Sequence, residues 1–238
     1  MRLAPVLFCA AALAWGQAPP GFVSLFNGKD LSGWRVPEGD NGHWRVVDGV
    51  IDYDASSEAP GEKHLWTEKE FGDFILRIDW RIKATPYSYP HTRILMPDGS
   101  YKRDADGKII EFSIPDSDSG VLLRGGPHQV NIWCWPQGSG ELWSVRNNKD
   151  LPPEVRGAAV PKLHADRNIG EWNTFEITLR GDRVTVVLNG YTVIGNARIP
   201  GIAEKGPIGL QHHGRMKDGR WVSPPSLVQF RNIFIKEL

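Results

Sequence analysis

The feature that most constrains the fold of this 238-residue chain is the alternation of apolar and polar side chains with a period of two. It is clearest in Phe74–Ile82, where the even-numbered residues are apolar and the odd-numbered positions include Arg77, Asp79 and Arg81. Successive side chains of a strand point to opposite faces, so this segment is predicted to be a strand with one buried face. Helical periodicity is scarce, and one short helix is expected around Leu151–Arg156. The pattern predicts an all-β protein.

Turn signals occur where antiparallel strands need them. Asp48-Gly49, Gly181-Asp182 and Asn189-Gly190 each separate two strand-like segments, and such dipeptides favour tight β-hairpins. The length suits one all-β domain. Two segments, 84–117 and 144–170, are rich in proline and are predicted to be long loops, of which the first contains a small hairpin at Asp104–Lys108. Long excursions from a rigid scaffold often shape a binding site.

The first residues have the composition of a secretory leader. A basic residue, Arg2, precedes a short apolar run that ends in small residues. This run is too short to cross a membrane as a helix, so residues 1–18 are predicted to be a cleaved signal peptide. The prediction is a secreted or periplasmic protein with no membrane span, whose single domain covers residues 19–238.

Charge and cysteine content exclude several classes of function. The chain has 28 Lys+Arg and 28 Asp+Glu, and a near-neutral surface without a basic stripe argues against a nucleic-acid partner. Loss of Cys9 with the leader leaves Cys134 alone, so no intramolecular disulfide is expected. A lone cysteine in a strand is more often a small buried apolar residue than a nucleophile.

The segment after Gln129 favours a carbohydrate ligand. Alternation places Gln129, Asn131, Trp133 and Trp135 on one face of a strand, and Trp143 follows nearby. Indole rings cover the apolar faces of a sugar and amides bind its hydroxyl groups, so this face suits a carbohydrate. The alternative is that these tryptophans belong to the core.

An ordinary two-carboxylate glycosidase mechanism is not favoured. It requires two carboxyl groups that flank the scissile bond, and no strand carries them at a suitable spacing. Asp79 lies between Arg77 and Arg81, which should keep it an anion and make it a poor general acid. The histidines are scattered, without a spacing that indicates zinc, and Asp104–Lys108 fits a hairpin turn better than a calcium loop. The ligands of a divalent ion, if assembled from distant loops, cannot be assigned from the sequence.

Several motifs carry a resemblance to a known family. They are, in chain order, Leu25–Trp34, Asp73–Arg81, Ser119–Arg124, Gly170–Asn173 with Leu188–Gly190, Gly206–His213 and Phe230–Leu238. Together they make residues 22–238 resemble the 3-keto-disaccharide hydrolase family. The resemblance implies a concanavalin-like jelly-roll sandwich of two antiparallel sheets that acts on sugars outside the cytoplasm.

The resemblance also implies a reaction. A C3 carbonyl acidifies the hydrogen on C2, so a base can remove it, the C1 substituent is expelled from the enolate, and water then adds. His213 matches the family's histidine and is the expected base, with Gln211 on the same face by alternation. Arg81 and Arg124 match motif positions and are expected to hold the enolate. A sugar 3-oxidoreductase would supply the keto sugar.

The chain departs from the family pattern at two carboxylates. Gln129 and Cys134 stand where the family has Glu and Asp, and Asp118 stands in place of Asn. Glu141 is the nearest substitute on the same segment. The predicted catalytic residues are therefore His213, Arg81, Arg124, Asp79 and Glu141, and the predicted binding residues are Gln211, Gln129, Asn131, Trp133, Trp135 and Trp143. A non-catalytic, lectin-like carbohydrate-binding module is the alternative.

Overall fold

The computed structural model describes residues 17–238. It contains seventeen strands and two short helices. The strands are β1 (Val23–Ser24), β2 (Trp34–Arg35), β3 (Trp44–Val47), β4 (Val50–Tyr53), β5 (Leu65–Phe71), β6 (Phe74–Ile82), β7 (Tyr87–Arg93), β8 (Glu111–Asp116), β9 (Ser119–Leu122), β10 (Gln129–Ile132), β11 (Asn173–Arg180), β12 (Arg183–Leu188), β13 (Tyr191–Arg198), β14 (Gly206–Leu210), β15 (Met216–Lys217), β16 (Arg220–Trp221) and β17 (Val228–Glu237). The helices are α1 (Trp143–Arg146) and α2 (Pro153–Ala158).

Two antiparallel sheets form the sandwich. The large sheet has the order β13-β12-β11-β6-β17-β4-β3, with β1 also paired to β17, and the small sheet has the order β10-β9-β14-β5-β2. Side chains from both sheets meet in one hydrophobic core, such as Leu76 and Ile78 of β6 and Ile208 and Leu210 of β14. This arrangement confirms the predicted all-β, concanavalin-like jelly-roll sandwich.

Strand β6 has the predicted alternation. Leu76 and Ile78 are fully buried, whereas Arg77 is exposed and both Asp79 and Arg81 are half-buried on the outer face. Burial of the apolar side chains of this strand stabilises the sandwich by roughly 1.5–3 kcal/mol for each residue. The register of β6 is thereby fixed, since a shift by one residue would turn its charged side chains into the core.

Two of the predicted hairpins close through dipeptides in the left-handed region. Asp48 and Gly49 have φ of 47° and 77°, and Asn189 and Gly190 have φ of 52° and 88°. Hairpins with a two-residue turn need positive φ at both central positions, which glycine and asparagine tolerate best. The sequence signal and the observed backbone therefore have the same physical cause.

The two long excursions contain regular structure. Segment 84–117 forms the β7–β8 hairpin, and its tip carries the predicted small hairpin, in which Asp104 N donates to Lys108 O at 2.9 Å. Segment 144–170 contains α2, close to the predicted helix, whereas α1 was not predicted. Among residues 17–238, no helix is both long and apolar enough to span a membrane. The predicted leader lies almost entirely outside the described residues.

Candidate functional site

A cleft of about 510 Å³ lies on the outer face of the small sheet. It brings together seven of the residues predicted from the sequence, namely Gln129, Asn131, Trp133, Trp135, Trp143, Gln211 and His213. Eight further residues with polar or aromatic side chains also line it and were not predicted, namely Tyr89, Arg93, Tyr101, Asp116, Asp118, Arg146, Asn147 and Ser223. Most of the latter come from the two long excursions, as expected for loops that shape a site.

The floor of the cleft is built from the amide side chains of Gln129 and Asn131 on β10 and of Gln211 just after β14, with β9 between them. Gln129 Nε2 donates to Asn131 Oδ1 at 2.8 Å, and both side chains point away from the core. Gly120 lies between the amides, because a Cβ added there would lie 3.2 Å from both Gln129 Oε1 and Gln211 Oε1. Gln211 Oε1 is buried and has no hydrogen-bond partner in the described part of the chain. The floor therefore offers acceptors that a hydroxyl-rich ligand would satisfy.

His213 is held in one orientation by the segment before β17. Its Nδ1 lies 2.6 Å from Pro224 O, and since a carbonyl only accepts, Nδ1 carries the hydrogen. The backbone N of His213 donates to Ser226 Oγ at 2.5 Å. In the neutral ring, Nε2 is then the basic nitrogen. His213 is thus positioned as a proton acceptor that lines the cleft.

His212 points to the opposite side of β14, as alternation predicts. Its Nδ1 lies 2.6 Å from the hydroxyl of Tyr53, a core residue. Burial is the main cause that lowers the pKa of His212 to about 4, and the charges of Lys63 and of two neighbouring histidines act in the same direction. His212 is therefore neutral near pH 7 and serves as packing beside the site.

Two carboxyl groups that were not predicted as site residues also line the cleft. Asp116 Oδ1 accepts hydrogen bonds from Ser117 N and Cys134 N at 2.9 and 3.0 Å. Desolvation, reinforced by the charge of Asp118, raises the pKa of Asp116 to about 7. Desolvation also raises the pKa of Asp118 to about 6, although His213 partly opposes it. The cleft therefore contains carboxyl groups that can hold a proton near neutral pH.

The aromatic wall is a stack of rings and not a row of open platforms. Trp133 and Trp135 stack with their ring centroids 4.4 Å apart and their planes 3° apart. Tyr89 packs on Trp135 at 5.8 Å, so Trp135 lies between two other rings. Trp133 and Trp135 are nearly buried, yet they lie outside the core between the sheets. They line the cleft as expected for a sugar site, while Trp143, which is 43% exposed, offers an open ring.

Positive charge enters the cleft through Arg146 and Arg93. Arg146 is buried and pairs with Glu141, and its Nη1 donates to the Tyr101 hydroxyl at 3.0 Å. Arg93 pairs with Glu111 and lies over the Tyr101 ring, 4.9 Å from its centroid. Glu141 has no exposed surface and does not line the cleft. The prediction that Glu141 replaces the missing catalytic carboxylate is therefore corrected. Its carboxylate instead forms a buried ion pair with Arg146.

Asp79 and Arg81 are not brought to the cleft. Both lie on the outer face of the large sheet, where Asp79 accepts from Thr174 Oγ1 and from Asn232 Nδ2 at 2.7 Å each. Arg81 Nε donates to Gln229 Oε1 at 2.7 Å, and its guanidinium lies over the Trp172 ring. Their predicted place beside His213 is corrected, since the two residue sets belong to different sheets.

Arg124 is also outside the cleft. Its side chain is 1% exposed and joins three turns by donating to Gly72 O, Gly181 O and Ala203 O at 2.8–2.9 Å. It also pairs with Asp73 at 2.8 Å. The predicted role in holding an enolate is corrected to a structural one, because its donors are directed at backbone carbonyls and Asp73.

A second, smaller pocket of about 240 Å³ lies on the other side of Trp133. Its polar groups are used by the fold: Asp166 Oδ2 accepts from Ser139 N, and Asn173 Oδ1 accepts from Arg167 N, each at 2.9 Å. The larger cleft is therefore the better candidate site. Within residues 17–238, no group of three or more His, Cys, Asp or Glu side chains could hold a metal ion.

Comparison with solved structures agrees with the fold. Two solved proteins of Parabacteroides distasonis, each described as a candidate glycosyl hydrolase, are similar in structure. One is 24% identical over 92% of this chain and 85% of its own, with a TM-score of 0.57. The other is 20% identical over 92% and 94%, with a TM-score of 0.55. At these identities the likeness shows the fold alone.

The family is shown by sequence. No curated protein matches the chain. The model of the 3-keto-alpha-glucoside-1,2-lyase-like domain matches residues 21–236, which is nearly the whole chain. The chain thus belongs to the 3-keto-alpha-glucoside-1,2-lyase-like family, a group of glycosyl hydrolase-like or carbohydrate-binding jelly-roll domains, as its sequence motifs predict.

Proposed function

We propose that this protein cleaves 3-keto-glycosides by removing the proton from C2, eliminating the substituent at C1 and then adding water. The observation that carries this proposal is the geometry of His213. Its Nδ1 is tied to Pro224 O at 2.6 Å, which leaves Nε2 as the basic nitrogen of a side chain that lines the cleft. An imidazole is the side chain best suited to accept a proton near pH 7.

The floor of the cleft supports a sugar as the ligand. Gln129, Asn131 and Gln211 present amide groups to the cleft, and the buried Gln211 Oε1 lacks a partner in the described chain. A sugar hydroxyl that donates to this oxygen would satisfy it, which an apolar ligand cannot do. Trp143 and the ring stack cover the apolar side of the site.

The enolate formed at C3 needs a positive partner. Arg146 is the buried cation that lines the cleft, and its pairing with Glu141 holds the guanidinium in place. A fixed cation in a desolvated site stabilises developing negative charge without reorganisation. Arg146 therefore takes the role that the sequence assigned to Arg81 and Arg124.

Two further proposals concern the context of the reaction. The leader-like residues 1–18 support action outside the cytoplasm, in the periplasm or beyond the cell. The substrate carries a ketone at C3, so an oxidoreductase acting on the sugar must supply it. Neither proposal affects the chemistry in the cleft.

The test is a comparison of 4-nitrophenyl 3-keto-glucoside with 4-nitrophenyl glucoside, with a parallel set of assays that contain EDTA. We expect nitrophenol release from the keto sugar only, because the parent sugar lacks the carbonyl that acidifies C2–H. Release from the parent at a similar rate would contradict elimination and indicate an ordinary glycosidase. Binding without release from either would indicate a carbohydrate-binding module, which the absence of carboxylates at Gln129 and Cys134 favours as the second candidate.

A further inference from the structure

Asp118 and His213 are held together by one short segment of backbone. Ser226 Oγ accepts from His213 N and donates to Asp118 O at 2.7 Å. Asp118 N donates to Pro225 O, and His213 Nδ1 is tied to Pro224 O. Residues 224–226 therefore hold the backbone of both residues and the imidazole of His213.

The sheet register explains why the two residues are neighbours. Gln211 directly follows β14, and its N donates to Gly120 O of β9 at 3.0 Å. The two residues therefore continue the antiparallel pairing of β14 with β9. Moving two positions along each antiparallel strand leads from Gln211 to His213 and from Gly120 to Asp118. A shift of two keeps a side chain on the same face, so both side chains belong to the face that forms the cleft.

The surroundings of Asp118 favour its protonated form. Its Oδ1 is buried and has no hydrogen-bond partner among the described residues. A charged carboxylate oxygen without a donor is costly to bury, whereas a neutral carboxyl group is much less so. Burial correspondingly raises the pKa of Asp118 to about 6.

The geometry points to Asp118 as the general acid that protonates the departing oxygen, with His213 as the base. This inference rests on the proposed function. His213 Nε2 takes the proton from C2, and the electron pair of that C–H bond forms the C2=C3 double bond of the enolate. As the enolate returns to a C3 ketone, a C1=C2 double bond forms. The C1–O1 bond breaks, its electron pair stays on O1, and the proton of Asp118 moves to O1 to give the free alcohol.

Hydration reverses these transfers. The alcohol leaves the open cleft and water takes its place, which lets the Nε2 proton of His213 exchange with solvent. The oxygen of water then forms a bond to C1, its proton returns to the Asp118 carboxylate, and C2 receives the exchanged proton from His213. The net reaction is hydrolysis, and both side chains recover their starting state. Asp116 does not transfer a proton in this scheme, and its Oδ1 accepts hydrogen bonds from Ser117 N and Cys134 N.

The test compares two leaving groups in the wild type and in Asp118→Asn. A 3-keto-glucoside with an alkyl or sugar leaving group needs protonation, whereas 4-nitrophenolate leaves without it. We expect Asp118→Asn to lower kcat/KM about 10²–10³-fold for the alkyl substrate and less than about 10-fold for the nitrophenyl substrate. Asp106→Asn, on the exposed small hairpin, is the matched control and should leave both rates unchanged.

Equal losses with both leaving groups, or no loss with either, would overturn the role of Asp118 while leaving the proposed function intact. Failure of the wild type to release either alcohol would instead remove the proposed function, and this inference with it. If Asp118→Asn does not fold, Asp118→Ala provides the second test in the same comparison of two leaving groups. A loss confined to the alkyl substrate supports the proposal, and equal losses with both substrates in folded protein contradict it.

Discussion

Replacement of His213 by alanine is expected to lower the kcat for a 3-keto-glucoside by about 10²–10⁴-fold, the usual contribution of a general base. The reason is that His213 Nε2 is the group placed to accept the C2 proton, since Nδ1 is occupied by Pro224 O. His213 is half-buried, so loss of this hydrogen bond should reduce the free energy of unfolding by only about 1 kcal/mol. Steady-state kinetics and urea unfolding of the purified variant measure the two effects separately.

Two variants serve as controls for this prediction. His213→Gln retains a side-chain N–H for Pro224 O but has no basic nitrogen, so it should be as inactive as His213→Ala. His43→Ala removes a histidine that pairs with Asp54 outside the cleft, and its turnover should match the wild type. Activity of His213→Ala close to that of the wild type would exclude His213 as the base.

Replacement of Arg124 by alanine is expected to lower the free energy of unfolding by about 3 kcal/mol, because it removes charged hydrogen bonds to three turns at once. The Arg124 guanidinium donates to three backbone carbonyls and to Asp73. The urea midpoint measures this loss. At a temperature where the variant is fully folded, its kcat should remain within a few-fold of the wild type.

Arg81→Ala is the matched control for Arg124→Ala. Arg81 makes a hydrogen bond to Gln229 and a contact with Trp172 on the outer face of the large sheet, so its loss should cost about 1 kcal/mol or less. A large loss of kcat in folded Arg124→Ala, with unchanged stability, would restore the catalytic role that the family motif suggests and contradict the structural one.

The alternation of side chains correctly predicted which residues share a face of a strand, but it could not predict which strand faces form one site. Arg81 and Gln129 both lie on outward faces of strands, and the sequence gives each the same pattern of polar alternation. The two strands belong to different sheets of the sandwich, so their outward faces point away from each other. Only the strand order across both sheets separates Arg81 from Gln129, and that order is set by packing between distant segments.

The carboxyl groups of the cleft were missed for a related reason. Asp116 and Asp118 flank a strand boundary, with β8 ending at Asp116 and β9 beginning at Ser119, so simple alternation does not describe them. Asp116 accepts a hydrogen bond from the backbone N of Cys134 at 3.0 Å, although the two residues are 18 positions apart in sequence. The available signal in the sequence is Asp118 before Ser119, at a position where the family has Asn.

The central claim is that the enzyme removes the proton on C2, and the most direct test is hydrogen exchange at that carbon. A 3-keto-glucoside is turned over in D₂O by the wild type and by His213→Ala, and the sugar product is analysed by NMR beside a sample without enzyme. We predict that the wild type incorporates deuterium at C2 in every turnover, well above the enzyme-free sample and the variant. Release of the alcohol with protium retained at C2 would contradict the account.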